Sequence, residues 1–298
     1  MPQGQIRKAI SGFYYVQTEN GDLIQCKGRG VFRNRGISPL VGDNVTIVED
    51  GDNDATITEV QKRKNELVRP PIANIDQALL VFSIVEPDFS LHLLDRFLTV
   101  IESVGIKPII CLTKKDIASE TELLQANAAK EYYEGIGYDV IQTYIDDPNL
   151  HDLLYPFLEG KTTVLAGQSG VGKSTLLNTL IPDLLLKTGE ISEALGRGRH
   201  TTRHVELMEV AGGLVADTPG FSSLDFDHIE KEELRNYFIE MEQVAHLCKF
   251  RGCLHLKEPK CEVKAKVETG EILNSRYDNY VQFLQEIIDR KPRYPKND

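Results

Sequence analysis

The chain has 298 residues and a formal net charge of −11, with apolar, charged and aromatic fractions ordinary for a soluble globular protein. That length holds two or three domains. No apolar stretch reaches the roughly 18 residues that span a bilayer, the first ten residues lack a signal-peptide core, and an acidic total excludes a chain coated in positive charge for nucleic acid. We therefore expect a cytoplasmic protein with no membrane partner. The charge is uneven: residues 1–70 balance ten Lys/Arg against nine Asp/Glu, which leaves room for a local basic patch.

Residues 13–70 read as all-β. FYYVQT and DLIQC are short β-rich runs joined by Glu-Asn-Gly, a hairpin signal, and NVTIVE and ATITEVQ flank the tight turn DGDND. Several short strands in about sixty residues predict a small barrel, with the OB-fold leading. Between strands lies KGRGVFRNRG, where Lys27, Arg29, Arg33 and Arg35 surround Phe32. It is either a solvated loop or an RNA-phosphate contact with one stacking aromatic. Arg69-Pro70-Pro71 marks a linker.

Beyond it strands and helices alternate. QALLVFSIV is a continuous apolar run, as in a strand buried on both faces. A helix over LHLLDRFLTVIESVG, a strand KPIICLTKKD, a helix through ELLQANAAKEYYEGIG, a strand YDVIQTY and a short helix near 149–158 follow. TTVLAGQSGVGKSTLLNTLI then reads strand, glycine loop, helix, so the class is α/β with a parallel sheet. After Asp227 the chain becomes helical. SRYDNYVQFLQEII places Tyr277, Tyr280, Val281, Leu284, Ile287 and Ile288 on one face. The divisions predicted are 1–70, 71–227 and 228–298.

GQSGVGKS matches G-x-x-x-x-G-K-[ST] in the strand-loop-helix context that the motif needs. Gly167, Gln168, Ser169, Gly170, Val171 and Gly172 would wrap phosphate with backbone N–H groups at the start of a helix that runs on through Thr175. Lys173 would reach the β- and γ-phosphate oxygens, and Ser174 would bind Mg²⁺. LVADTPG delivers Asp217 towards the same metal, with the Gly220 N–H as a γ-phosphate sensor; a plain turn is the alternative. GRGRHTTRH, residues 196–204, is the candidate switch, in which Thr201 or Thr202 would complete the magnesium shell. Phe221 follows Gly220 and cannot orient water, so His200 becomes the candidate for that task.

Thr-Lys-Lys-Asp, residues 113–116, ends a strand as Asn-Lys-x-Asp does in guanine-binding proteins, yet it stands 51 residues before the phosphate loop. Sheet packing does not depend on chain order, so a permuted chain preserves such a site. Asp116 would accept from guanine N1–H and N2–H₂, and the Lys114 stem would cover the base. Gln142-Thr143-Tyr144 is the candidate for the contact to guanine O6. Thr113 stands where Asn is usual and can supply only part of the tie an amide makes. Gly170 replaces the Asn that potassium-activated relatives tend to carry, so no potassium dependence is expected.

Cys248, Cys253, His255 and Cys261 lie within fourteen residues and offer three thiolates and an imidazole, the ligand set of a closed, structural Zn²⁺. Lys249, Arg251, Lys257 and Lys260 between them either touch RNA or offset thiolate charge.

Permuted order, β-rich N-terminus and cysteine cluster together resemble the bacterial ribosome small-subunit-dependent GTPase A family, the YjeQ/YloQ group of circularly permuted GTPases, over essentially the whole chain. The resemblance implies an OB-fold, a permuted P-loop GTPase domain and a zinc domain. It also implies GTP and GDP as ligands, rRNA and the 30S subunit as partners, action in late 30S maturation, hydrolysis stimulated by that subunit, and a switch histidine. We expect a monomer. An rRNA chaperone with nucleotide as a conformational lock, and an ATP-using phosphoryl transferase, remain as alternatives.

Overall fold

The computed structural model describes residues 2–30, 32, 37–49, 54–181, 205–217 and 224–290, with the backbone alone for Asp54 and Asp217. The sequence readings on Arg33, Arg35, His200, Thr201, Thr202, Gly220 and Phe221 lie outside the described residues.

Five strands, β1 (Gln3–Ile10), β2 (Phe13–Thr18), β3 (Leu23–Gly28), β4 (Asn44–Glu49) and β5 (Asp54–Val60), close a barrel in the order β1-β2-β3-β5-β4. All pairs are antiparallel except β3 with β5. The barrel has one strand more than the sequence reading gave. QGQIRKAI mixes polar and apolar residues without clean alternation, because both its faces are only half-buried. Ile6, Val16, Cys26, Val45, Ile47 and Ile57 fill the interior. Phe32 joins them at 6 % exposure, which corrects its reading as a stacking platform: the ring is spent on the barrel core.

A two-stranded ribbon, β6 (Glu66–Leu67) and β7 (Ile72–Ala73), leads out of the barrel. Gly42 meets it so closely that a Cβ there would stand 2.1 Å from the Ala73 carbonyl oxygen. Six strands then form a second sheet: β8 (Gln77–Ser83), β9 (Lys107–Thr113), β10 (Asp139–Gln142), β11 (Thr162–Ala166), β12 (Leu207–Val210) and β13 (Gly213–Asp217). Their order is β10-β9-β8-β11-β13-β12, parallel but for the β12–β13 hairpin.

Every residue of β8 and β11 is buried, which is why β8 reads as an apolar run, while β11 opens on the buried hydroxyls of Thr162 and Thr163. Alternate residues of β8 serve opposite layers. Ala78, Leu80 and Phe82 pack with helices α1 (Leu91–Ser103) and α2 (Glu120–Gly135). Leu79 and Val81 pack with α3 (Leu150–Leu158) and α4 (Lys173–Leu180). The start of α1 is fixed by Ser90, whose Oγ accepts from the Leu93 N–H at 3.3 Å. That of α2 is a reciprocal capping box between Ser119 and Glu122.

The remaining helices, α5 (Ile239–Ala245), α6 (Glu262–Glu268) and α7 (Asn274–Asp289), follow a short 3₁₀ turn at Leu234–Tyr237. Helix α7 lies on α1 through Tyr280, Phe283, Leu284 and Ile287. Ile288 is exposed, while Arg276, Asn279 and Phe283, absent from the sequence reading, are buried. Arg276 is 1 % exposed and is held by Asp95 of α1 at 2.6 Å and by both oxygens of Glu240 of α5 at 2.7 and 3.0 Å. Tyr133 and Asn279 complete the carboxylate shell of Asp95. Three elements are thus joined by one charge. Among the described residues no helix is long and apolar enough to cross a membrane.

Removing one member of such a cluster leaves the others charged without a partner. Arg276→Met is expected to cost about 3–5 kcal/mol, read as a lower urea midpoint in unfolding followed by tryptophan-independent far-UV circular dichroism.

Candidate active site and metal centre

The phosphate loop leaves β11 beside β8, where the strand order turns back on itself, the position at which open α/β sheets bind ligands. Gly167 has φ +141°, and a Cβ there would lie 2.1 Å from the Val81 carbonyl oxygen. Gly170 and Gly172 also take positive φ, and Gly172 caps α4. Gln168, Ser169 and Gly170 are exposed, as are Ser174 and Thr175 on the first turn of the helix. The Lys173 ammonium donates to the Gly167 carbonyl at 2.8 Å and the Gln168 carbonyl at 2.5 Å, spanning the loop. The loop offers backbone N–H groups, a helix start and one ammonium, an arrangement able to hold a polyphosphate.

Thr113 ends β9 on the far side of β8. Its hydroxyl lies 2.7 Å from the Val171 carbonyl oxygen and 3.2 Å from that of Phe82. The tie expected from an Asn amide is therefore made by the one proton a Thr owns, and it lands on the phosphate loop itself. Lys114 adopts φ +62°, and its ammonium reaches the Glu86 carbonyl.

A cleft of about 170 Å³ opens between the two segments. Thr113, Lys114, Asp116 and Ile117 line one side, Thr143, Tyr144 and Ile145 the end, and Val171, Gly172 and Leu176 the other side. Its lining is mainly apolar and includes one carboxylate, Asp116. Thr143 is buried, whereas Tyr144 and Ile145 face the opening. Behind the slot Lys115 lies 3.5 Å from Asp147 and 5.2 Å from the Tyr144 ring centroid. Burial would raise the Asp147 carboxyl, but the Asn149 N–H, Lys115 and Thr143 outweigh it and hold the group below its ordinary range. Ile117, Ile145, Leu176 and Asp147 were missed from sequence. Only the turn-forming Asp-Asp-Pro-Asn run at 146–149 offered a signal, and it pointed to a turn, not to a ligand.

Asp217 ends β13, next to β11 through the pair Leu165↔Asp217, so its backbone reaches the phosphate loop's level.

In the helical region the ligand atoms of Cys248, Cys253, His255 and Cys261 all lie within 4.8 Å of one another. His255 Nδ1 stands 3.3 Å from Cys261 Sγ and 3.7 Å from Cys248 Sγ, with 4.0 Å between those two sulfurs. A tetrahedral zinc with bonds of about 2.0–2.3 Å spaces its ligands by roughly 3.5–3.8 Å, so the four donors fit. Burial pushes the Cys261 thiol up to about 12 and raises Cys253 as well. Burial, helped by the Arg235 charge, pulls His255 down to about 4. The protonated Cys253 and Cys261 thiols and the neutral imidazole gain little from one another so crowded; a cation would satisfy the whole group. The loop is braced by Tyr277 and Tyr280, whose hydroxyls donate to the His255 and Leu254 carbonyls, and by Arg235 on the Arg251 and Cys253 carbonyls.

Residues 60–227 match the RsgA GTPase family and residues 3–57 the RsgA N-terminal domain. The small ribosomal subunit biogenesis GTPase RsgA of Bacillus anthracis is 59% identical over 294 residues, covering 99% of this chain and 100% of that one. The protein belongs to the RsgA GTPase family. The Bacillus subtilis (strain 168) RsgA is 56% identical over 300 residues, with the same coverage. Among solved structures, YloQ, described as a circularly permuted GTPase, is similar at TM-score 0.84 and 52% identity, covering 99% of this chain and 97% of that one. YjeQ from Thermotoga maritima is similar at TM-score 0.85 and 35% identity, covering 97% and 99%. The closed barrel, the reordered sheet and the three-cysteine, one-histidine group are thus those of a circularly permuted GTPase, and the protein is an enzyme of GTP hydrolysis.

The Gly167 contact tests the loop's seat on β8. Gly167→Ala is expected to push the loop off the Val81 carbonyl and lower GTP affinity by about 100-fold or more (a cost near 3 kcal/mol), with little change in far-UV signal; isothermal titration with GTP reads it.

Proposed function

We propose that the protein is a GTP-hydrolysing switch of late 30S subunit maturation, working as a cytoplasmic monomer that grips rRNA and is stimulated by the small subunit. The observation that carries the reading is the shared cleft. A Thr-Lys-Lys-Asp turn and a phosphate loop 51 residues later in the chain line one slot, joined by the Thr113 hydroxyl. The kinship with small ribosomal subunit biogenesis GTPases supports the 30S assignment.

In this reading guanine enters the slot between Lys114 and the Val171–Leu176 side. Asp116 accepts from N1–H and N2–H₂, a pair of donors that adenine lacks. The 142–144 segment faces O6. Gly167 to Gly172 present N–H groups to the phosphates, and Lys173 gives up its carbonyl partners for β- and γ-phosphate oxygens. Ser174, Asp217 and Thr201 or Thr202 would hold Mg²⁺, which neutralises phosphate charge when bound. The Gly220 N–H senses the γ-phosphate. His200 positions the attacking water where Phe221 cannot, and docks there on the subunit.

Residues 1–70 form the RNA-gripping unit, 71–227 the switch and 228–298 a zinc unit. Cys248, Cys253, His255 and Cys261 would hold one structural Zn²⁺. Phe250, 43 % exposed beneath the Lys249 ammonium, then offers rRNA a stacking surface among Lys257, Lys260 and Arg251.

The test is phosphate release from GTP and ATP, with and without purified 30S subunits. The expected outcome is GTP-selective turnover raised at least tenfold by 30S and not raised in His200→Ala. Stimulation that survives in His200→Ala removes that residue's role alone. Equal use of ATP, or no response to 30S, overturns the reading.

The metal assignment has its own measurement. Purified protein is expected to contain one zinc per chain, and Cys253→Ser to lose it with a lower melting temperature. Because burial holds the metal-free Cys253 and Cys261 thiols protonated and the His255 imidazole neutral at pH 7, uptake releases protons, so affinity falls as pH falls. Competition with a chromophoric chelator at pH 6 and pH 8 reads that sign.

A further inference from the structure

Strand β1 of the barrel meets the β12 edge of the GTPase sheet. Strand β1 is bulged: Ile6 faces Val16 but Lys8 faces Tyr15, so Arg7 is an extra residue. The bulge turns this part of β1 outward. There Lys8 makes an antiparallel bridge with Glu206, and its ammonium lies 2.7 Å from the Glu206 carboxylate. One residue away, Arg7 stands 4.0 Å from Glu209.

Both ends of this junction lead somewhere. On the barrel side, Arg7 donates to the Gln17 and Gln5 side-chain oxygens at 2.7 and 3.0 Å. Those two glutamines and Arg7 line a polar surface groove of about 490 Å³ together with Gln3, Asn44, Gln61 and one carboxylate, Glu19. Side-chain amides and one guanidinium are the groups that pair with exposed base edges and phosphates of unpaired RNA. On the GTPase side, Leu207 pairs with Ala216, so Glu206, one step further out, is level with Asp217. Asp217 in turn is paired with Leu165, two residues before the phosphate loop. Glu206 also follows Thr201 and Thr202 closely in sequence. Three hydrogen-bonded strands therefore run from the barrel groove to the metal side of the nucleotide site.

We propose that the β1–Glu206 junction is the route by which RNA engaged on the barrel sets the Asp217 end of the β12–β13 hairpin, with Lys8 as the positioning residue that couples the two. The inference rests on the preceding functional reading. Lys8 touches neither nucleotide nor the groove. Its loss should leave unstimulated hydrolysis alone and remove the response to the partner.

The experiment uses the full chain. Phosphate release from GTP is measured with and without 30S subunits for wild type, Lys8→Glu, Glu206→Lys and the double swap, and 30S binding is followed in parallel by co-sedimentation. Each single reversal sets like charges together and is expected to cut the ratio of stimulated to basal rate at least about fivefold, while basal rate and co-sedimentation hold. The double swap restores the opposite charges and the ratio. Full stimulation in the single reversals, or no recovery in the swap, overturns the coupling. So does a fall in basal rate that matches the fall in stimulated rate, which would make the junction plain glue, and so does loss of co-sedimentation in step with stimulation, which would make Lys8 a binding contact. A wild type that ignores 30S refutes the functional reading instead, and is told apart by its own flat ratio.

Discussion

Gly167 passes β8 at a distance that admits no side chain, and the nucleotide site is built outward from that contact. The approach brings the phosphate loop over the carboxyl ends of β8 and β11 together. From there Val171 is within reach of the Thr113 hydroxyl on the next strand, β9, and the slot between them acquires two walls. A side chain at 167 would lift the loop away from β8, and the wall made by Val171 and Leu176 would move with it. The seat of the loop and the two walls of the slot are therefore set by one close backbone approach and one hydroxyl, both buried.

The same contact explains how the chain order is tolerated. The slot needs β9, β8 and β11 to be neighbours and needs their ends to point the same way; it does not need β11 to be made first. The parallel ladders β8–β9 and β8–β11 meet that need in either order. What the permutation changes is which loops are free to connect elsewhere. The β12–β13 hairpin lies at the sheet's edge and is met there by the barrel, while the chain leaving β13 runs on into the helices that cover α1.

Much of this could be read from sequence, and the reasons are local. The buried strands β8 and β9 announce themselves by apolar runs. The phosphate loop does so by residue types that only one geometry requires, and the metal group by four ligands in fourteen residues. The failures are of another kind. Strand β1 carries four polar residues in eight because it is half-wet on both sides, so no periodicity marks it. Phe32 sits among arginines and a lysine in sequence, and its burial follows from where the barrel interior lies, not from its neighbours. Arg276 reads as an ordinary helix-surface cation; its partners are 36 and 181 residues away, and no window holds all three. The slot's apolar lining at Ile117, Ile145 and Leu176 is equally the product of strand order.

The cluster around Arg276 also has a consequence for the protein's own synthesis. Asp95 emerges 181 residues before the arginine that neutralises it. At about 5–20 residues per second, the chain spends on the order of ten to thirty seconds with that carboxylate on α1 and no cation to bury it against. Until α7 arrives, the outer face of α1 must stay in water, where the charge is cheap. A nascent chain can thus complete its β-barrel, sheet and phosphate loop before α7 is made, but it seals over α1 only once Arg276 has emerged. Arg276 acts as a latch on α1: a copy released before it emerges carries the GTPase sheet on a body whose α1 face stays open.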